Sequence, residues 1–240
     1  CYSWIAYQTA YLKAHFPAEF MAANLTHNIN DISEISLLIE ECKRMGSPVL
    51  GPDINESDMH FTVNNKGEIR FGLSALKGVG EAASAAIINE RNENGTFQSV
   101  FDFMKRINLR ACNKRCIEAL AMSGAFDSLG SHHRAQFFAE SDNINFIERL
   151  IRYASSYQAK LNSIQMSIFD DTNSSDEDNG IEFPSCDPWS SMQQMHYEKE
   201  VCGFYISGHP LDKFKLEIDN FTTHKISNLH EEGMVKTLGQ

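Results

Sequence analysis

Three shortages in this sequence each exclude a class of protein. The six cysteines, Cys1, Cys42, Cys112, Cys116, Cys186 and Cys202, are scattered over 240 residues. That is the usage of reduced cytosolic thiols, not of a disulfide framework, so a cytoplasmic chain is expected. Cys112 and Cys116 share one helix face, but no further ligands stand at matching spacing, so no metal site is expected. No uninterrupted apolar run approaches the roughly 18 residues of a membrane helix, so no membrane partner is expected. The start, "CYSWIAYQTAYLKAHFP", has neither an initiator methionine nor a basic region leading into a long apolar core, so it is not a signal peptide. It reads as the interior of a helix, and the chain is expected to be cut from something longer. Positive charge is scarce too, with 21 Lys and Arg against 32 Asp and Glu and a net charge of −11. Taken as an average, that argues against a nucleic-acid partner.

The average conceals segregation. Residues 105–115, "KRINLRACNKR", hold five basic residues and no acidic one, whereas residues 170–182 hold six acidic residues and no basic one. Over residues 73–116 basic residues outnumber acidic ones seven to four. Such a local reversal is the footprint of phosphate contact.

Periodicity predicts a mainly α fold. Helices are expected over residues 3–25, with a restart at Pro17, and over 31–45, where Ile35, Leu38, Ile39 and Cys42 make one stripe between an Asp31 or Ser33 cap and Gly46. "HFTV" and "EIRFGL" flank "NNKG" as one small β-hairpin. From residue 73 helix is expected for about ninety residues, clearest at 141–161, with Ile144, Ile147, Leu150, Ile151, Ala154 and Leu161 on one face. Residues 170–186 read as a mobile linker. Trp189, Met192, Met195, Val201 and Phe204 restore an amphipathic helix that ends at Gly208 and Pro210, and "GMVKTLGQ" reads as the start of a strand. Trp4 and Trp189 are expected as core or interface anchors, and His132 and His133 as surface residues near a helix start.

The stretch "ALKGVG" carries the chemistry. Gly78 and Gly80 break the helical period between helix formers, which predicts a tight hairpin joining two helices. Without Cβ atoms in the way, backbone amides of Gly78, Val79 and Gly80 can face an anion at the start of the helix that begins near Glu81. Leu76–Gly80 fits the helix-hairpin-helix pattern (apolar, any, Gly, apolar, Gly), whose natural ligand is a DNA phosphate. Lys77 adds a cation beside it. A second, degenerate hairpin is expected in "IEALAMSGAFDSLG", with Gly124 as its break. Between the two lies the basic run with Lys105, Arg106, Arg110, Lys114 and Arg115.

"YQTAYLKAHFPAEFMAANLT", "GLSALKGVGEAASAAI", "NKRCIEALAMSGAFDSLG" and "EKEVCGFYISGHPLD", in that order, resemble the bacterial replicative DNA polymerase III alpha-subunit family. The resemblance implies the C-terminal part of the fingers at 1–70, a tandem helix-hairpin-helix region gripping primer-template duplex at 71–163, and a sliding-clamp-binding peptide at 164–170. It further implies an acidic linker at 171–186, a helical connector at 187–228 and the start of an OB-fold at 229–240. "QMSIF" matches the pattern of clamp-binding peptides (Gln, two variable residues, Leu or Ile, Phe), which assigns Gln165, Met166, Ile168 and Phe169 to the clamp, the beta subunit, alongside other holoenzyme subunits as partners. In the family, polymerisation uses Mg²⁺ held by palm carboxylates that lie upstream of this stretch, so neither a cofactor nor a catalytic residue is expected here. Two other readings compete. In a helix-hairpin-helix glycosylase or lyase, Lys77 sits in the wrong place for a nucleophile and the iron–sulfur cysteines are missing, although Asp102 stands at an acceptable spacing. A helical module binding only protein would use "QMSIF" as well.

Overall fold

The computed structural model describes residues 2–29, 31–141, 144–166, 181–208 and 210–221. The fold is mainly α. Helix α1 (Tyr2–His15) buries no residue, and Trp4 is 64% exposed, so Trp4 is not a core anchor. Helix α2 (Pro17–His27) opens with Pro17, whose missing N–H costs nothing in a first turn. It buries Ala18, Met21, Ala22 and Leu25, one stripe at helical spacing. In α3 (Ile32–Met45), the Asp31 carboxylate accepts from the N–H groups of Ser33 and Glu34 at 3.0 and 3.2 Å, and left-handed Gly46 closes the helix.

The expected hairpin is present as β2 (Thr62–Val63) and β3 (Ile69–Arg70), antiparallel, with Thr62 opposite Arg70. The Asn64 side chain shapes its turn by accepting from the N–H groups of Lys66 and Glu68. A third strand, β1 (Val49–Leu50), runs parallel to β3 and makes β3 the centre of the sheet. Two residues with a proline before them carry too little pattern to announce a strand.

The expected ninety-residue helical stretch is cut into shorter pieces. A 3-10 turn at Leu73–Ala75 leads to α4 (Glu81–Asn94), α5 (Val100–Arg106) and α6 (Lys114–Ser123). Two further 3-10 turns follow, at Asp127–Leu129 and Arg134–Phe138. Strands β4 (Glu140–Ser141) and β5 (Ile144–Asn145) then pair antiparallel ahead of α7 (Phe146–Met166). Ile144 therefore stands in a strand, and the Asn145 side chain accepts from the Ile147 N–H to start the helix. Ile147, Leu150 and Ala154 are fully buried, but Leu161 is 46% exposed. The apolar stripe ends earlier than its periodicity suggests.

Residues 181–186, the end of the expected linker, are irregular but packed. Phe183 sits among Phe101, Phe137 and Phe146 at ring distances of 5.6, 5.4 and 4.9 Å. His132 stacks flat on it at 4.7 Å, and His133 Nε2 lies 3.1 Å from the Cys186 carbonyl oxygen. The two histidines are therefore partly covered, and burial holds the His132 pKa below its ordinary value. Ile181 and Phe183 are the only large apolar residues in a polar stretch, and they are what anchors it. Residues 170–180, the bulk of the expected linker, lie outside the described residues.

Helix α8 (Ser191–Cys202) starts at a capping box formed by Ser190 and Gln193, and it ends at left-handed Gly203, five residues before the expected Gly208. Trp189 packs against Phe138 and Tyr197 at 5.4 and 4.3 Å. A second compact unit begins at Gly208, and of it the turn Pro210–Phe214 and α9 (Lys215–Phe221) are described. The expected OB-fold start at 229–240 lies outside the described residues.

Candidate nucleic-acid interface

The first hairpin is pinned from below by Leu76 and Val79, both buried. The Val79 N–H donates to the Leu76 carbonyl at 3.0 Å, and the Lys77 N–H donates inward to the Val201 carbonyl at the end of α8, at 2.8 Å. The element before it is a single 3-10 turn rather than a full helix. Gly78 takes φ = +103°, a conformation other residues adopt only under strain. A Cβ there would also lie 3.4 Å from the Ala119 Cβ and from the Cγ and carbonyl oxygen of Arg115. Gly78 thus lets the hairpin press onto α6. Gly80, the N-cap of α4, is extended (φ = −78°) with open space around it. Of the three hairpin amides expected to face an anion, Val79's is spent internally, and its side chain belongs to the core.

The second hairpin is not at Gly124. It lies between α5 and α6, at residues 107–113, where asparagines do what glycines do in the first. The Asn108 carbonyl accepts from the N–H groups of Ala111 and Cys112, and its side chain accepts from the Arg110 N–H at 2.9 Å. The Asn113 side chain caps α6 by accepting from the Cys116 N–H at 3.0 Å. Ile107 and Cys112, both buried, hold the loop down. Gly124 is instead an internal corner. It ends α6 at φ = +85°, and a Cβ there would run into the Arg134 guanidinium at 2.2 Å. The signal that could have located the second hairpin is the pair of asparagines, Asn108 and Asn113, with apolar Ile107 just before the first and Cys112 just before the second.

The expected basic contacts divide into two groups. Lys77, Arg110, Lys114 and Arg115 are exposed on or beside the two hairpins. Lys114 binds Glu148 at 2.6 Å, and among the described residues Lys77, Arg110 and Arg115 form no ion pair. Lys105 lies over the rings of Tyr153 and Tyr157 at 5.6 and 5.1 Å. Arg106 belongs to the fold. Its guanidinium pairs with Glu90 and Asp102 at 2.9 and 3.0 Å, donates to the Gly95 carbonyl at 2.7 Å and stacks over Phe97. Asp102, the residue a glycosylase would have used, is spent on that pair and on the Gln98 N–H. Cys112 and Cys116 are core residues.

Residues 46–137, which contain both hairpins, match the family model for the helix-hairpin-helix motif. Along the chain, 38% of residues are identical to the DNA polymerase III subunit alpha of Escherichia coli (strain K12), over 98% of this chain and 20% of that protein. The same-named protein of Haemophilus influenzae is 38% identical over 99% of the chain and 20% of its own length. That of Borreliella burgdorferi is 40% identical over 92% of the chain and 19% of its own length. This chain is homologous to the DNA polymerase III alpha subunit. It spans about a fifth of the length of the curated relatives it matches.

The first hairpin is braced, through α8, by a buried ion pair that no local sequence pattern announces. Arg134 Nη1 binds Glu198 Oε1 at 2.7 Å, and its other nitrogens grip the Asp127 carboxylate at 2.6 to 3.1 Å. Glu198 is 1% exposed and also accepts from the backbone N–H and hydroxyl of Ser207. Burial alone would push its carboxyl up. The Ser207 and Arg134 hydrogen bonds outweigh that and hold it below the usual carboxylate range. The pair fixes α8, whose Val201 carbonyl holds the first hairpin. Of the expected clamp residues, Gln165 and Met166 end α7, and Ile168 and Phe169 lie outside the described residues.

Proposed function

We propose that this chain is the part of an alpha subunit that grips duplex DNA by its backbone, without reading bases, and that tethers the polymerase to its sliding clamp. The observation that carries the reading is the packing of the first hairpin, at Gly78, onto α6, the helix that follows the second hairpin, with Lys77, Arg110, Lys114 and Arg115 exposed on or beside the two hairpins. Amides at a helix start and fixed cations bind phosphates and carry no base information. The Mg²⁺-dependent nucleotidyl transfer of the polymerase then belongs to carboxylates in the remaining four fifths of the relatives' length, and the chain by itself binds without polymerising. Its setting is the bacterial cytoplasm, within the holoenzyme.

The test is a duplex titration across a salt series. Affinity should fall steeply with salt and be nearly equal for unrelated sequences, because each neutralised phosphate releases a counterion. Salt-independent binding, or strong preference for one sequence, overturns the reading.

Clamp binding rests on "QMSIF" at the end of α7. Gln165 offers an amide that both donates and accepts, and Met166, Ile168 and Phe169 are apolar enough to fill a groove. Tethering to a ring on DNA raises the local concentration of polymerase at the primer end. Replacing Gln165, Ile168 and Phe169 together by Ala should abolish clamp binding in a calorimetric titration while duplex affinity persists. Unchanged clamp affinity rejects the assignment.

A further inference from the structure

Helix α7 inverts the charge balance of the chain. From Phe146 to Met166 it carries Arg149, Arg152 and Lys160 and a single acidic residue, Glu148, which is bound to Lys114 of α6 at 2.6 Å. Its inward face is Ile147, Leu150 and Ala154, all fully buried. At about 100° per residue, Arg149, Tyr153, Ser156 and Lys160 cluster within about 60° of one another, about 120° round the helix from that inward face. Ser156 and Lys160 are exposed there, and Arg149 and Tyr153 are half-buried. A neighbouring cation stands at each edge of that face. Lys105 of α5 lies over Tyr153 and Tyr157, and Lys114 of α6 is on the Glu148 side. Arg152, exposed, acts on the same Glu148 and helps hold its carboxyl below the usual range, with Lys114 the larger cause. Among the described residues Arg149 and Arg152 form no ion pair.

We propose that this outward face of α7 is a second strip for the phosphate backbone of duplex DNA, continuous with the hairpin surface. The continuity runs through adjacent groups. Gly78 lies against Arg115, Arg115 neighbours Lys114, Lys114 binds Glu148, and Arg149 and Arg152 follow on α7. Hydroxyls of Ser156 and Tyr157 add hydrogen-bond donors of the kind that position a duplex without reading it. From Arg149 to Lys160 the strip is about 17 Å long at 1.5 Å per residue, or roughly five nucleotides of one strand at 3.4 Å each. The strip rests on the duplex-binding reading and extends it along the helix that leads to Gln165.

The experiment compares the chain with an Arg149→Gln/Arg152→Gln variant on two duplexes, one of about 8 base pairs, less than one turn, and one of about 24, more than two turns. On the long duplex the variant should lose affinity on the order of tenfold, and its salt slope should become shallower by about 2. On the short duplex, which the hairpins alone can fill, it should match the parent. An Arg149→Lys/Arg152→Lys variant should restore most of the long-duplex affinity, because a phosphate contact needs charge more than fork geometry. Parental affinity and slope on the long duplex would overturn the strip while leaving the hairpin reading intact. So would equal losses on both duplexes, which would place the effect in the fold or in the hairpins. If the parent binds neither duplex, the hairpin reading fails and takes the strip with it.

Discussion

The two hairpins reach a similar layout with different chemistry. The first uses glycine, with Gly78 at φ = +103° against α6, and its Lys77 amide is held by the Val201 carbonyl of α8. The second uses asparagine, with Asn108 shaping the turn and Asn113 capping α6. It leans on α7 instead, where the Gln158 side chain donates to the carbonyls of Lys105 and Ile107 at 3.2 and 2.9 Å. The first hairpin therefore depends on an element more than a hundred residues downstream, and the second on one about half as far away in sequence. A missing side chain leaves room for close packing, whereas a side-chain amide supplies the turn's hydrogen bonds itself.

That contrast predicts unequal damage. Arg134→Met leaves Glu198 buried with only Ser207 as partner, and removing one member of such a pair costs about 3–5 kcal/mol. Denaturant titration should show that loss. Hydrogen exchange in whatever population remains folded should rise at Lys77, whose acceptor α8 provides, more than at residues 107–113. Equal exchange at both hairpins would mean that α8 does not brace the first one selectively. Gly78→Val comes next, because it forces a β-branched residue into a left-handed conformation and against Arg115 and Ala119. A loss of about 1–3 kcal/mol is expected, with weaker duplex binding as well. A melting temperature equal to the parent's would contradict the assigned strain. The smallest effect is expected for Asn113→Ala, which removes a helix cap worth about 1 kcal/mol. Thermal melting should resolve it, and no change would show that the Cys116 amide finds another acceptor.

Legibility in the sequence followed the same division. Helices with a buried stripe, such as α2, α3 and the core of α7, are readable because burial and periodicity coincide. The glycine hairpin was readable because "ALKGVG" breaks the period in a recognisable way. The asparagine hairpin was missed because Asn108 and Asn113 read as ordinary polar residues within a basic run. Gly124 was mistaken for a hairpin because its left-handed conformation serves a helix end, and the covering guanidinium comes from Arg134, ten residues on. Charge in sequence places Arg106 among the DNA contacts because it says nothing of Glu90 and Asp102, which pair with it in the fold. The Arg134–Glu198 pair, 64 residues apart, leaves no local pattern at all.

The central claim is that the start of α4 meets the DNA backbone, and Gly80 tests it most directly. A Cβ at Gly80 meets nothing within 4 Å, and its φ of −78° suits any residue, so Gly80→Val alters the surface without straining the fold. Duplex affinity should be measured for parent and variant on several unrelated sequences, with thermal melts alongside. The account predicts a melting temperature lowered only slightly, by the poorer N-cap that Val makes, and a loss on the order of tenfold shared by every sequence, since only backbone contacts are removed. Parental affinity in the folded variant, or a loss confined to particular base sequences, would contradict it.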